Sequence, residues 1–337
     1  MSMSDAKQRI HWVDVTKGVL IVLLIFFHFP PAITRLEYDI SPFWFVNCWQ
    51  AIYSCFFMQA FFFLSGYCSS FPSDGKVFFY KLFKQLFLPF VCFEILYCVW
   101  SALTKYGMSL EVLYGIWRNS NGTSFWFLNA LMFSKVIIWL VLQISPSRVM
   151  LFAVSLLLLV AGIIFECYDI GSNFLFLRPS MLAVFFVTLG YILKDNNRIF
   201  NRLIVWGSAG FPYLLLFLVF FKLPIPEVTA AIKVDLLSMP LFLLLSISGT
   251  FACIYYCMRI KEFRLLEYFG RNTLIVYCIH FIVLVSLADL LYRIIIPVGL
   301  FRSIVYVVVL FIFVFVVFSA IIQLFKIKPF KWLLGHF

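Results

Sequence analysis

The sequence predicts an all-α fold: a polytopic membrane helix bundle of about ten transmembrane helices with both termini cytoplasmic. Three observations lead there. Of the 337 residues, 64% are hydrophobic and only 12% are charged, about half the charge of a typical soluble domain. The apolar residues come in blocks of about 20, the length needed to cross roughly 30 Å of hydrocarbon. The basic residues lie between these blocks with a bias in side. With the N-terminus inside, 17 of the 26 Lys and Arg face the cytoplasm, which makes both termini cytoplasmic and the number of crossings even. The net charge of +11 therefore reports orientation against membrane lipid, and no nucleic-acid partner is expected. One integral membrane domain over 1–337 follows, with 1–8 and about 326–337 as cytoplasmic tails.

The first block, 13–33, belongs to the stretch RIHWVDVTKGVLIVLLIFFHF and has Asp14 and Lys17 at its inner end and His28 in its apolar run. Pro30-Pro31 stand where a signal peptide needs small residues, so the block is read as retained. Block two, 43–67, carries Asn47, Gln59 and Ser65-Gly66, a pair that lets helices approach closely. Before block three, 84–104, Lys81 and Lys84 are three apart, on one helical turn facing one way; Glu94 lies within it. Block four, 124–143, holds Trp126, Asn129 and Lys135. Blocks 149–166, 176–193, 202–221 and 235–257 add little polar chemistry, and the first two of these are short. Block nine, 271–292, starts at Arg271-Asn272 and contains His280 and Asp289; block ten is 301–325. Nine cysteines without CxxC spacing read as small buried hydrophobes, so no metal is expected. Asn121-Gly122-Thr123 is a glycosylation sequon in a loop expected outside.

Polar groups that survive in such blocks need an internal partner or a wet cavity. Lys17 and His28 are eleven positions apart, roughly 16 Å and about three turns along a helix, so one ligand can touch both. A lysine at the cytoplasmic mouth suits a phosphate-bearing group, and a neutral imidazole near mid-membrane suits proton transfer with a hydroxyl. Simpler roles stand beside these. His28 can bond a neighbouring helix, Asp14 can serve as an N-terminal helix charge, and Lys81 and Lys84 can anchor to lipid headgroups. Glu94 and Asn129 can form interhelical hydrogen bonds, and His280 can simply pack.

Four patterns together resemble the acyltransferase 3 family of integral membrane acyltransferases, in particular its fucose 4-O-acetylase-like branch of sugar O-acetyltransferases. The first is the basic, W.D..KG-like start with a histidine three turns on: Arg9, Trp12, Asp14, Lys17, Gly18 and His28. The second is FFFLSGY, Phe61 to Tyr67, followed by Lys81, Lys84 and Leu88-Pro89. The third is WFLNAL from Trp126 to Leu131. The fourth is Gly270, Arg271, Asn272, Thr273, Leu274, Tyr277 and His280. The family often has arginines at the two-basic motif, and the lysines here keep the charge but lose the bidentate fork.

The resemblance implies acetyl-CoA as a cytoplasmic acyl donor and a carbohydrate acceptor at the outer face of a bacterial inner membrane. Lys17, Lys81, Lys84 and Arg9 would hold the donor, and His28 would act as general base or acyl carrier with Asp14 in support. His280, Glu94, Asn129 and Trp126 would meet the acceptor. The main alternative is a secondary transporter or flippase for a polysaccharide precursor, which also has about ten helices and buried polar groups. A membrane assembly or sensory subunit without catalysis is a third reading.

Overall fold

The computed structural model of the chain describes residues 10–104, 126–168, 170, 177–220, 227–228, 232–233 and 239–327. In chain order the helices are α1 (His11–Arg35), α2 (Trp44–Tyr53), α3 (Phe57–Tyr67), α4 (Gly75–Leu82), α5 (Leu88–Leu103), α6 (Trp126–Ile144), α7 (Arg148–Cys167), α8 (Leu177–Leu193), α9 (Asn197–Phe220), α10 (Met239–Arg259), α11 (Arg264–Arg271), α12 (Thr273–Tyr292) and α13 (Gly299–Leu324). A π-helical turn, Phe83–Phe87, joins α4 to α5 into one rod, Gly75–Leu103. Among the described residues eight helices are long and apolar enough to cross a membrane, nine if α2 and α3 form one span. The 17-residue α8 supplies a tenth apolar segment. Apart from a two-residue antiparallel ladder, Glu227–Val228 with Ile232–Lys233, the described residues are helices and connections. The chain is a polytopic helical membrane bundle, as its composition requires.

Three features differ from the block pattern. The second span is broken: α2 and α3 meet at 43°. There Ser246 on α10 donates its hydroxyl to the Cys55 carbonyl at 2.6 Å, and the Phe56 ring occupies the space that Gly249 leaves open. A partner helix thus satisfies the freed carbonyl, as low-dielectric surroundings demand. The third span begins nine residues before its apolar block. Asp74 caps it, accepting from the Lys76 backbone N–H at 2.8 Å, so Lys81 lies inside a helix that hydropathy alone does not register. Finally, RLLEYFGR forms the short helix α11, too charged to show as an apolar block.

Small residues set the closest helix contacts. Gly66 on α3 lies on the Val187 carbonyl of α8, and Gly190 on α8 lies on the Phe63 carbonyl of α3. Gly18 and Gly270 do the same for α1 and α11, against Leu266 and Asp14. A Cβ at any of the four would overlap backbone, so these glycines permit backbones to approach as in small-residue membrane packing.

Candidate active site

At the end of the bundle where the basic loops gather, α1, α4, α6, α12 and the chain after α3 surround a cavity of about 480 Å³, within the range of small-molecule sites. One wall is fixed by aromatics. Phe78 on α4 and Trp139 on α6 stack with centroids 5.0 Å apart, and Trp139 Nε1 donates to the Pro72 carbonyl at 2.8 Å. Lys17, Lys81 and Lys135 line the cavity from three different helices, and among the described residues no carboxylate lines it.

Of the donor residues expected from sequence, Lys17 and Lys81 are in this cavity and Lys84 is not. The physical reason is the π turn that begins at Phe83. Its i→i+5 hydrogen bonding turns each residue less far about the axis than an α-helix does. Lys84 therefore leaves the face of Lys81 and lies over the Tyr80 ring, 5.9 Å from its centroid, while Gln85 joins Lys81 in the lining. The third lysine in the lining is Lys135, on α6. Its signal in the sequence is a lysine in the middle of block four, with nothing to say which way it faces. Arg9 lies outside the described residues.

The imidazoles come next along α1 and α12. His28 and His280 meet edge to face, with centroids 4.5 Å apart, so the His28 ring faces helix α12. His28 Nδ1–H donates to the Leu24 carbonyl at 3.0 Å. His280 Nδ1–H donates to the Tyr277 carbonyl. A carbonyl only accepts, so both rings carry a proton on Nδ1, and in the neutral imidazole Nε2 keeps its lone pair. His280 is buried, and among the described residues its Nε2 has no hydrogen-bond partner. Neither histidine lines the cavity. The link is Tyr277, which lines it together with Phe127 and whose ring centroid is 5.8 Å from that of His280.

Asp14 lies elsewhere. It accepts from Arg271 Nε at 3.0 Å, and Arg271 also bridges to Glu267 at 2.7 Å. The ion pair joins α1 to α11, and Asp14 is fourteen residues, roughly 21 Å along the helix, from His28. Glu94 is buried, has no hydrogen-bond partner at either carboxyl oxygen among the described residues, and lies within electrostatic reach of Tyr277 and Cys278. Among the described residues the buried Asn129 amide NH₂ and both side-chain polar atoms of the buried Gln59 on α3 have no hydrogen-bond partner. Trp126, one turn before Asn129, packs on Phe62 and does not line the cavity. Toward the opposite end of the same two helices, Tyr38 donates to Asp289 at 2.6 Å, Arg293 bridges Asp289 at 2.8 Å, and the Tyr38 and Tyr292 rings stack at 3.7 Å.

A family model described as an acyltransferase domain matches residues 10–323. Neither the curated proteins nor the solved structures give a match.

Proposed function

The chain belongs to the acyltransferase 3 family and is a membrane acyltransferase; from that premise we propose that it transfers acetyl from cytoplasmic acetyl-CoA to a hydroxyl of a cell-surface or lipid-linked carbohydrate. We read it as a sugar O-acetyltransferase of the fucose 4-O-acetylase-like kind in a bacterial inner membrane. One juxtaposition carries the reading: a lysine-lined cavity at the basic end leads to Tyr277, one helical turn before the buried His280, whose ring meets that of the half-buried His28.

The chemistry follows from the two ends of this path. Lysines at the mouth hold the phosphates of the donor, and its thioester arm extends the roughly 16 Å from Lys17 to the level of His28. His28 Nε2 takes the proton of the acceptor hydroxyl as its oxygen attacks the thioester carbonyl. The tetrahedral intermediate then collapses with loss of the C–S bond, and the departing thiolate takes the proton from the imidazolium. His280 Nε2 and the unpartnered Glu94 carboxyl face uncompensated hydrogen-bonding demand in a low dielectric, which acceptor hydroxyls satisfy. Asn129 adds a donor, and Trp126 backs it from the same helix face. Asp14 acts at a distance, holding α11 on α1 through Arg271.

Purified protein in lipid, supplied with labelled acetyl-CoA and extracted surface glycan, tests the proposal. Label should enter the glycan, and His28→Ala should slow transfer by about 10²- to 10⁴-fold, the usual worth of a general base. Undiminished transfer by this variant removes His28 from the mechanism. Movement of glycan across the bilayer without acetylation would favour the flippase reading.

A further inference from the structure

We propose that Lys135 is the third cation of a phosphate-binding site built with Lys17 and Lys81, and that Lys84 has no part in it. The inference rests on the donor reading above and deepens it.

Lys135 stands midway along α6, nine residues from either end of Trp126–Ile144, roughly 14 Å by helix rise. A charged side chain at that depth is expensive and marks a ligand or ion path unless it is paired. Among the described residues neither Lys135 nor Lys17 has an ion pair or hydrogen bond, and both line a cavity without a carboxylate.

The stacked Phe78 and Trp139 rings give a common level for α4 and α6. One turn deeper from this level lie Lys81 on α4 and Lys135 on α6, so the two cations sit at one height across the cavity. Lys17 is within electrostatic reach of Lys135. Three like charges held together in a low dielectric repel one another until an anion of matching charge enters. A diphosphate, or a diphosphate with a further phosphate, is the class that neutralises three ammonium groups at once, and a nucleotide thioester donor carries such a group.

The experiment measures binding of acetyl-CoA, 3′,5′-ADP and inorganic pyrophosphate by calorimetry to the full chain in nanodiscs of neutral lipid. The variants are Lys135→Met, Lys135→Arg and Lys84→Met. Losing one charge-assisted contact should weaken all three ligands by about tenfold or more in Lys135→Met. Lys135→Arg should restore most of the affinity, and Lys84→Met should bind as the parent does. Without ligand, Lys135→Met should melt no lower than the parent, because the substitution removes an unpaired charge from the middle of a membrane helix; this separates loss of a ligand contact from loss of fold. Parent-like binding by Lys135→Met, or a larger loss in Lys84→Met, overturns the proposal. So does displacement of pyrophosphate by phosphatidylglycerol in the bilayer, which would make the site a lipid-headgroup anchor. Lys135-dependent binding of pyrophosphate without any binding of acetyl-CoA would uphold the three-lysine site and remove the donor assignment.

Discussion

Just after His28, Pro30 and Pro31 lack backbone N–H groups, so within α1 the carbonyls of Phe26 and Phe27 lose their helical partners. Gln50 on α2 meets this need, donating from Nε2 to the Phe27 carbonyl at 3.0 Å. The carbonyl belongs to the residue next to His28, so one amide side chain both compensates the proline break and fixes the backbone that carries the imidazole. Gln50→Leu leaves an acceptor unsatisfied in apolar surroundings, which costs about 1–3 kcal/mol. A lower unfolding midpoint in detergent is the expected result. The kinetic expectation is sharper: kcat for acetyl transfer falls while KM for acetyl-CoA stays near the parent value, because the lysine end of α1 is untouched. A change confined to KM would place Gln50 in donor binding instead. Asp14 illustrates the opposite limit, since its bond to Arg271 lies near the surface, where Arg271 is 44% exposed, and such pairs stabilise by about 1 kcal/mol or less.

Helix contacts explain why some of the site is legible in the sequence and some is not. Lys17 and His28 lie on one uninterrupted helix, so spacing alone places them along one path; Ser65-Gly66 likewise announces a close approach, and α3 makes one with α8. Lys135 lines the cavity and Lys84 does not, for reasons that composition does not record. A π turn is a change of hydrogen-bond register without a compositional mark, and the facing of Lys135 depends on packing against helices distant in sequence. The break between α2 and α3 is equally silent, because the group that satisfies it, Ser246, is 191 residues away. At this scale the strongest expectation concerns the α3–α8 contact. Gly66→Ala and Gly190→Ala each drive a methyl into a carbonyl of the other helix, and overpacking of this kind costs about 1–3 kcal/mol. Gly210→Ala is the control. The nearest atoms its new methyl would meet are those of the Trp206 ring, at 3.5 Å or more, and the helix propensity of Ala makes that change neutral or slightly stabilising. Thermal unfolding of the three variants should therefore separate them into two falls and one near-zero shift. Equal falls in all three would mean that the α3–α8 contact has no special tightness.

Across the whole molecule, charge and cavity agree on a direction. The basic loops gather at the end where Lys17, Lys81 and Lys135 line the cavity, while the stacked Tyr38 and Tyr292 and the Asp289–Arg293 pair lie toward the opposite end of the helices that carry the imidazoles. Basic loops stay in the cytoplasm, so a polyanionic donor is expected to reach the lysines from there and the acceptor to approach from outside. Sealed vesicles of the two orientations turn this into a measurement. Impermeant acetyl-CoA in the bath should support transfer in inside-out vesicles, whereas right-side-out vesicles should stay silent until a pore-forming peptide admits the donor. Impermeant glycan acceptor should show the reverse dependence, requiring access to the other side. The attraction to three lysines is electrostatic, so raising the salt concentration should increase KM for the donor with little effect on that for an uncharged glycan. Donor activity at the outer face of intact right-side-out vesicles would reverse the orientation of the bundle and with it the assignment of the lysine cavity as the donor mouth.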